Sequence, residues 1–66
     1  MRPEEKLELL KLALERGLEV RTLYRDRRVV SIDRPSERYV AIRYEDGSVD
    51  KMHISDFGRR RFIVLL

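Results

Sequence analysis

RYVAIRYEDGSVDKMHISDF, residues 38–57, is the stretch that decides the fold of this chain. Apolar and polar residues alternate through residues 39–44 and again through residues 49–54, which is the period of a strand with one buried face. The two runs are joined by Asp46-Gly47, a pair typical of hairpin turns because both residues accept positive φ. The stretch therefore predicts two antiparallel strands.

The length of the turn sets the register of this hairpin. A three-residue turn, residues 45–47 with its glycine in the left-handed region, places Val40 opposite Met52 and Ile42 opposite Asp50. A two-residue turn would mix apolar and charged side chains on one face, so we predict the three-residue turn. In this register the side chains on the inner face are Val40, Ile42, Tyr44, Met52 and Ile54. It leaves an outer face of Tyr39, Arg43, Lys51 and His53.

Residues 3–16 predict a helix. Pro3 suits the first helical position, and Gly17 supplies the left-handed residue that commonly ends a helix. The apolar side of the helix comprises Leu7, Leu9, Leu10, Ala13 and Leu14. Leu12 falls among the polar residues, so we expect it to be exposed. The helix should therefore pack on a neighbouring element through one side.

The segment between the helix and the hairpin predicts two further strands. The period changes to two in residues 18–25, with Leu23 out of step, and a tight basic turn leads to a strand at residues 28–33. The side chains expected to face inward are Leu18, Val20, Thr22, Tyr24, Val30 and Ile32. Both strands should therefore contribute to one core.

A single helical turn at residues 55–58 precedes a last strand at residues 62–66. That strand is apolar on both faces, and we expect the barrel interior and the helix to cover it. The chain should then have an α+β fold, with helix 3–16 followed by a five-stranded antiparallel SH3/Sm-like small barrel over residues 18–66. Residues 1–66 form one domain in this interpretation.

Composition limits the classes of function. The chain has no cysteine, which excludes disulfides and thiolate metal sites, and arginine supplies 12 of its 15 basic residues, a thermophile-like choice. No apolar run reaches the ~18 residues of a membrane span, and the first residues lack the apolar centre of a signal peptide. We expect a cytoplasmic protein that uses no cofactor and no membrane. Its net charge of +3 favours binding to a polyanionic or acidic partner. The alternative is that the charge only keeps the surface of the protein soluble.

Two dense basic clusters are the main candidates for a binding site. The first surrounds the turn before the second strand and contains Arg25, Arg27 and Arg28. The second precedes the last strand and contains Arg59, Arg60 and Arg61. Guanidinium groups bind phosphates and carboxylates in bidentate geometry, so two such loops at one end of a barrel would form one anion-binding surface. The alternative is that these arginines form a solvated charged face that binds no ligand.

The outer face of the hairpin is the second candidate. Its four residues, Tyr39, Arg43, Lys51 and His53, would form a platform on which a base stacks while phosphates meet the charges. The structural alternative is that Arg43 pairs with Asp50 and Glu45 with Lys51, as exposed cross-strand ion pairs worth ~0.2 to 1 kcal/mol.

The sequence predicts no enzymatic activity. His53 is the only histidine, so a histidine-rich metal site or a His-paired nucleophile would lack partners. Ser55 and Asp56 are neighbours in sequence, which does not by itself make a catalytic triad. We therefore expect a binding module.

The order of these motifs resembles that of WYL domains, the Sm-like and SH3-like barrels of bacterial regulators. The resemblance covers roughly residues 10–57 and rests on LEVRTLYR at 18–25, RYVAI at 38–42, DGSV at 46–49 and HISDF at 53–57. The layout is also similar to the Sm-like Rho regulator Rof and to Tudor domains. These resemblances imply a small barrel, and the association of WYL domains with nucleic-acid-type ligands agrees with the basic surface.

These features best fit a small, non-enzymatic, nucleic-acid-binding regulatory barrel that takes single-stranded nucleic acid or RNA. A protein-interaction module is the first alternative, for example a small phage or bacterial regulator that docks on an acidic surface of a larger machine. A designed small barrel with no natural function is the second, because the regular helix and turns resemble those of designs.

The last strand also predicts a homo-oligomer, most simply a two-fold dimer. Residues 62–66 contain no charge or proline to protect a sheet edge, and Leu12 and Leu23, both out of step with their patterns, would add apolar area. In the competing arrangement the N-terminal helix covers this strand within a monomer.

Overall fold

The structure, a computed structural model, describes all 66 residues and consists of a sheet with helices on one face. The elements are α1 Pro3–Glu15, β1 Glu19–Thr22, β2 Arg28–Asp33, β3 Tyr39–Tyr44, β4 Val49–His53, α2 Ile54–Arg59 and β5 Phe62–Leu65. The strands are antiparallel in the order β4-β3-β2-β1-β5, so the sheet is open and β4 and β5 are its edges. The expected α+β class is confirmed. Neither helix has the length and apolarity needed to cross a bilayer.

The predicted register of the β3–β4 hairpin is confirmed. Val40 pairs with Met52 and Ile42 with Asp50, and Gly47 in the turn has a φ of +88°. The inner face buries Val40, Ile42, Tyr44 and Met52. The outer face exposes Tyr39, Arg43, Lys51 and His53. A local turn preference and the apolar alternation agree here, so the register is well specified.

Helix α1 packs on the sheet through a narrow stripe. It buries Leu7, Leu10 and Ala13 and packs against β1, β2 and α2. The helix ends at Glu15, one residue earlier than expected, and Gly17 follows with a φ of +76°. Leu12 is exposed as expected, but Leu9, expected on the apolar side, is also exposed because it lies at the border of the stripe.

Two expectations for β1 and β2 are wrong. β1 ends at Thr22, so Tyr24 lies in the following loop and is 68% exposed instead of facing inward. In β2 a bulge between Val29 and Ser31 buries Val29 and leaves Val30 exposed. A bulge adds one residue to one strand, so the side chains that precede it change face.

Strand β5 is exposed where the sequence predicts that it is covered. It forms the edge beyond β1, whereas α1 packs on β1, β2 and α2. Phe62 is half-buried against the core, but Ile63, Val64 and Leu65 are exposed. The arrangement in which the helix covers the last strand is therefore wrong.

Helix α2 closes the core and is fastened to α1. The predicted helical turn extends over Ile54–Arg59, and Phe57 within it is completely buried. Lys6 donates hydrogen bonds to the carbonyl oxygens of Phe57 and Gly58, each at 3.3 Å, and to that of Arg60. A cation at a helix C-terminus satisfies its free carbonyls, so this contact also positions the segment that leads into β5.

Candidate nucleic-acid interface

The two predicted arginine clusters border a common cleft at one end of the sheet. Arg25 and Arg27 come from the β1–β2 loop, and Arg60 comes from the segment between α2 and β5. The cleft has a volume of 520 Å³, and its lining is completed by Thr22, Tyr24, Tyr44 and Asp50. An adjoining depression of 410 Å³ is lined by Thr22, Leu23, Tyr24, Arg59, Arg60 and Arg61. We call the two together the arginine cleft.

Thr22 holds the loop that forms one wall of the arginine cleft. Its buried hydroxyl donates to the Tyr24 carbonyl at 2.7 Å and accepts from the Arg27 N–H at 3.1 Å. Arg25 and Asp26 have φ values of 64° and 49°. This left-handed backbone is unfavourable for an arginine and milder for an aspartate, so the surrounding contacts must maintain it.

A stacked pair of Arg27 and Tyr44 forms the floor of the cleft. The guanidinium carbon of Arg27 lies 3.7 Å from the centroid of the Tyr44 ring. The Tyr44 hydroxyl donates to Oδ2 of Asp50 at 2.9 Å, and Nη1 of Arg60 reaches the same oxygen at 3.4 Å. The single carboxylate of the lining therefore already accepts hydrogen bonds from two donors, the Tyr44 hydroxyl and the Arg60 guanidinium.

Several arginines at the cleft lack an acidic partner. Arg25, Arg59 and Arg61 form no salt bridge. Arg27 reaches only Asp46, at 3.7 Å between Nη2 and Oδ2. The cleft is therefore a local excess of positive charge, which attracts anions from solution.

The pKa of Tyr44 is raised above its ordinary value. Burial is the main cause, followed by the hydrogen bond to Asp50 and the negative charge of that carboxylate, whereas Arg27 and Arg60 oppose the shift. The folded protein therefore favours the neutral phenol, which keeps its proton and donates it in the hydrogen bond to Asp50.

This raised pKa predicts a loss of stability at alkaline pH. A phenol with a higher pKa in the folded chain contributes stability that is complete below its unfolded pKa of about 10 and is lost as the pH rises through its folded value. The free energy of unfolding, measured by urea titration in this range, should therefore fall less steeply with pH in Tyr44→Phe, which keeps the ring beneath Arg27. Equal slopes in the two proteins would contradict the assignment.

Arg28 belongs to the first cluster by sequence but lies outside the cleft. Its Nη1 is 3.9 Å from Oε1 of Glu19 and 3.7 Å from Oε2 of Glu45. The same network ties Arg21 to Glu19 and Asp26, and the hydrogen bonds that Arg21 donates to Asp26 and Glu19 raise the pKa of Arg21. Arg28 is therefore engaged in ion pairs within the protein.

The outer face of the hairpin is a separate surface. The rings of Tyr39 and His53 meet edge to face with centroids 5.8 Å apart, and Nζ of Lys51 lies 5.3 Å from the Tyr39 centroid. Nδ1 of His53 accepts a hydrogen bond from the Ser55 N–H at 3.1 Å, so this histidine caps α2. His53 thus has a structural role that its sequence position did not reveal.

The cross-strand ion pairs that were the structural alternative for this face do not form. Asp50 points inward to Tyr44 and Arg60 and not to Arg43, and Lys51 lies over Tyr39 and not beside Glu45. Tyr44 and Asp50 belong to the inner face of β3 and β4, so the cleft and the outer face lie on opposite sides of the sheet. The structure therefore divides the predicted site into two surfaces.

Tyr24 is a candidate binding residue that sequence reasoning missed. The alternation in residues 18–25 assigns it to the core, yet its ring is exposed in the cleft with the Arg25 guanidinium 5.1 Å from its centroid. Asp26 carried the available signal, because aspartate tolerates the left-handed region and often ends a strand. A prediction that ended the strand before Asp26 and began a loop there would have placed Tyr24 outside the sheet.

A larger depression lies elsewhere, over the β2–β3 loop. It has a volume of 660 Å³ and is lined by Arg34, Ser36, Glu37 and Arg38, without any hydrophobic residue. Ligand sites usually combine an apolar or aromatic surface with a few polar groups, which the arginine cleft does and this depression does not. The cleft is therefore the stronger candidate.

The chemistry of the cleft consists of guanidinium groups, an exposed phenol ring and one carboxylate that is already hydrogen-bonded. Such a set suits a ligand that is negatively charged and carries a planar group. Searches against protein-family models, curated proteins and solved structures find no match to the chain.

Proposed function

We propose that the arginine cleft binds nucleic acid, in particular single-stranded nucleic acid or RNA, and that the protein is a small non-enzymatic regulator. One observation carries the proposal: arginines from two loops that are distant in sequence converge around Tyr24. A phosphate backbone in the cleft would meet Arg25 and Arg27 on one side and Arg59 and Arg61 on the other. Phosphate contacts of this kind supply most of the affinity of non-specific binding.

The exposed ring of Tyr24 favours a single strand over a duplex. Bases of a single strand can turn outward and stack on an aromatic side chain, whereas those of a duplex are already stacked. The volume of 520 Å³ lies within the ~300 to 1,000 Å³ of typical small-ligand sites, which supports a ligand of the size of one turned-out nucleotide. Arginines then hold the flanking phosphates.

The outer face contributes less in this proposal. His53 is occupied as the cap of α2, and the ring of Tyr39 is flanked by His53 and Lys51. Arg43 and Lys51 remain as exposed cations that a longer strand could reach around the sheet edge.

We also propose a relation to the SH3/Sm-like small barrels, which the resemblance of the sequence motifs to those of WYL domains would imply. Two features support it: β5 lies next to β1, and the short helix α2 stands between β4 and β5. In this interpretation the open sheet is a barrel whose edge strands remain apart.

Removal of two unpaired cleft arginines should weaken binding and its salt dependence together. We expect the double variant Arg25→Ala, Arg61→Ala to bind a fluorescent single-stranded RNA at least about tenfold more weakly than the wild type. The slope of log affinity against log salt should decrease by about 0.7 for each lost phosphate contact. Fluorescence anisotropy at several salt concentrations measures both quantities. Arg16→Ala, Arg38→Ala removes the same charge from exposed positions outside the cleft and should retain more affinity.

The contribution of Tyr24 is tested in the same assay. Tyr24→Ala should lose about 1–3 kcal/mol of binding free energy with an unchanged salt slope, whereas Tyr24→Phe keeps the ring and should bind like the wild type. Equal weakening by the two arginine pairs would indicate attraction by net charge and not by the cleft. Absence of binding to DNA and RNA at low salt would exclude the proposal and favour docking on an acidic protein surface.

A further inference from the structure

Strand β5 leaves one edge of the sheet unpaired and apolar. Ile63, Val64 and Leu65 are 37%, 41% and 47% exposed, and Leu66 is fully exposed. On its other side β5 pairs with β1 along its whole length. Consecutive exposed apolar residues on a free edge are a site for the addition of another strand.

The free edge of β5 also presents unused backbone groups. The Leu23 N–H donates to the Arg61 carbonyl at 3.0 Å, and in an antiparallel ladder the backbone groups of alternate residues face the same neighbour. Ile63 and Leu65 therefore direct their N–H and C=O groups toward β1. The residues whose groups face the free edge are Phe62, Val64 and Leu66.

The opposite edge of the sheet is a poorer partner for this strand. β4, Val49–His53, contains Asp50 and Lys51, and charges on an edge strand oppose pairing with another chain. Head-to-tail pairing of β4 with β5 would set these charges against apolar side chains. It would also produce a ring or a filament, because such contacts repeat. A second β5, in contrast, brings no charge.

We propose that two copies of the chain form a two-fold dimer by antiparallel pairing of their β5 strands. A pairing centred on Val64 sets Val64 against Val64 of the second copy, Ile63 opposite Leu65, and Phe62 opposite Leu66. Opposite residues of an antiparallel pair point to the same face, and this register satisfies that rule. Val64 lies opposite the buried Val20 in the β1 pairing and so belongs to the inner face, as does Phe62 opposite the buried Thr22.

This register uses the whole apolar segment and leaves the charges outside it. All opposed side chains are apolar, and about six backbone hydrogen bonds close across the new edge by the alternation of the ladder. Arg61 lies beyond the paired residues, so the arginines before β5 do not face one another. A register centred on Ile63 would instead place Arg61 opposite Leu65 and bury a guanidinium stem against it.

Sedimentation equilibrium of the chain over a wide concentration range tests the association. We expect the mass to rise from one chain to two. Val64→Lys sets two like charges against each other at the dimer axis and should weaken association at least about 100-fold. Val30→Lys introduces the same charge at an exposed valine of β2 and should dimerise like the wild type. Far-UV circular dichroism verifies that both variants are folded.

Introduced cysteines test the register, because the chain has none of its own. Cα atoms of a hydrogen-bonded antiparallel pair are ~5.5 Å apart, within the range of a disulfide, so Val64→Cys should link two chains on oxidation. In this register the two Ile63 residues of the dimer do not lie opposite each other, so Ile63→Cys should form disulfides no faster than Val30→Cys. The Val30→Cys rate measures linkage by random collision. A single-chain mass at every concentration, assemblies larger than two chains, or preferential linkage through Ile63→Cys would overturn the proposal.

Discussion

Replacement of Phe57 by alanine is expected to remove a large part of the free energy of unfolding of this protein. Phe57 is completely buried and is the largest such side chain in the core. Truncation of a buried phenylalanine costs about 3–5 kcal/mol, since it removes apolar contacts and leaves a cavity. A chain of 66 residues has a total stability of about 3–10 kcal/mol. Urea unfolding followed by circular dichroism measures the loss.

Phe62→Ala is the matched control for this prediction. Its ring centroid lies 5.6 Å from that of Phe57, but Phe62 is only half-buried at the start of β5. The same chemical change should therefore cost less, because water already reaches part of the ring. Similar unfolding midpoints for the two variants, or a Phe57→Ala protein within about 1 kcal/mol of the wild type, would show that α2 does not anchor the core.

The hairpin could be predicted from the sequence because its determinants are local. The turn requires a residue with positive φ, which Gly47 supplies, and only one register separates the apolar from the charged side chains of the two strands. The limits of α1 were also close to those expected, since Pro3 and Gly17 act within one turn of the helix ends. In these elements the local preferences of the turn and helix-end residues and the burial of apolar side chains favour the same structure.

Features that depend on distant contacts were not predictable. The bulge that exposes Val30 arises where β2 pairs with β3, and neither strand signals an extra residue by itself. The exposure of β5 depends on where α1 packs, and the helical pattern shows only that one of its sides is buried. The periodicity of the sequence therefore identified the helices and strands, but not which of their faces are covered by other elements.

The composition of the candidate site was predictable in part. Both arginine clusters were recognisable as runs of guanidinium groups, but their proximity follows from topology. β5 pairs antiparallel with β1, so Phe62 at the start of β5 lies opposite Thr22 at the end of β1. This pairing brings the segment before β5 beside the loop after β1. It also explains why Arg28, one residue beyond that loop, turns to Glu19 and Glu45 instead.

Replacement of Thr22 by valine should destabilise the protein and weaken the arginine cleft. Valine has nearly the same shape, and the backbone bond from the Thr22 N–H to the Arg27 carbonyl remains. The change removes the hydroxyl that bonds the Tyr24 carbonyl and the Arg27 N–H. Both hydrogen bonds are partly buried, and the loss of each costs about 0.5–1.5 kcal/mol. Urea unfolding measures this loss.

The same substitution should act on ligand binding through the loop, because Thr22 itself offers the cleft little besides its hydroxyl. That hydroxyl joins the two ends of the loop in which Arg25 and Asp26 adopt their left-handed backbone. In Thr22→Val we therefore expect faster amide exchange at Arg27, measured by NMR, together with weaker binding of single-stranded RNA. Thr22→Ser keeps both hydrogen bonds and loses one methyl group, so it should cost only about 1 kcal/mol and retain slow exchange. If valine and serine gave the same exchange rate, the hydroxyl would not be what holds Tyr24 and the loop arginines in place.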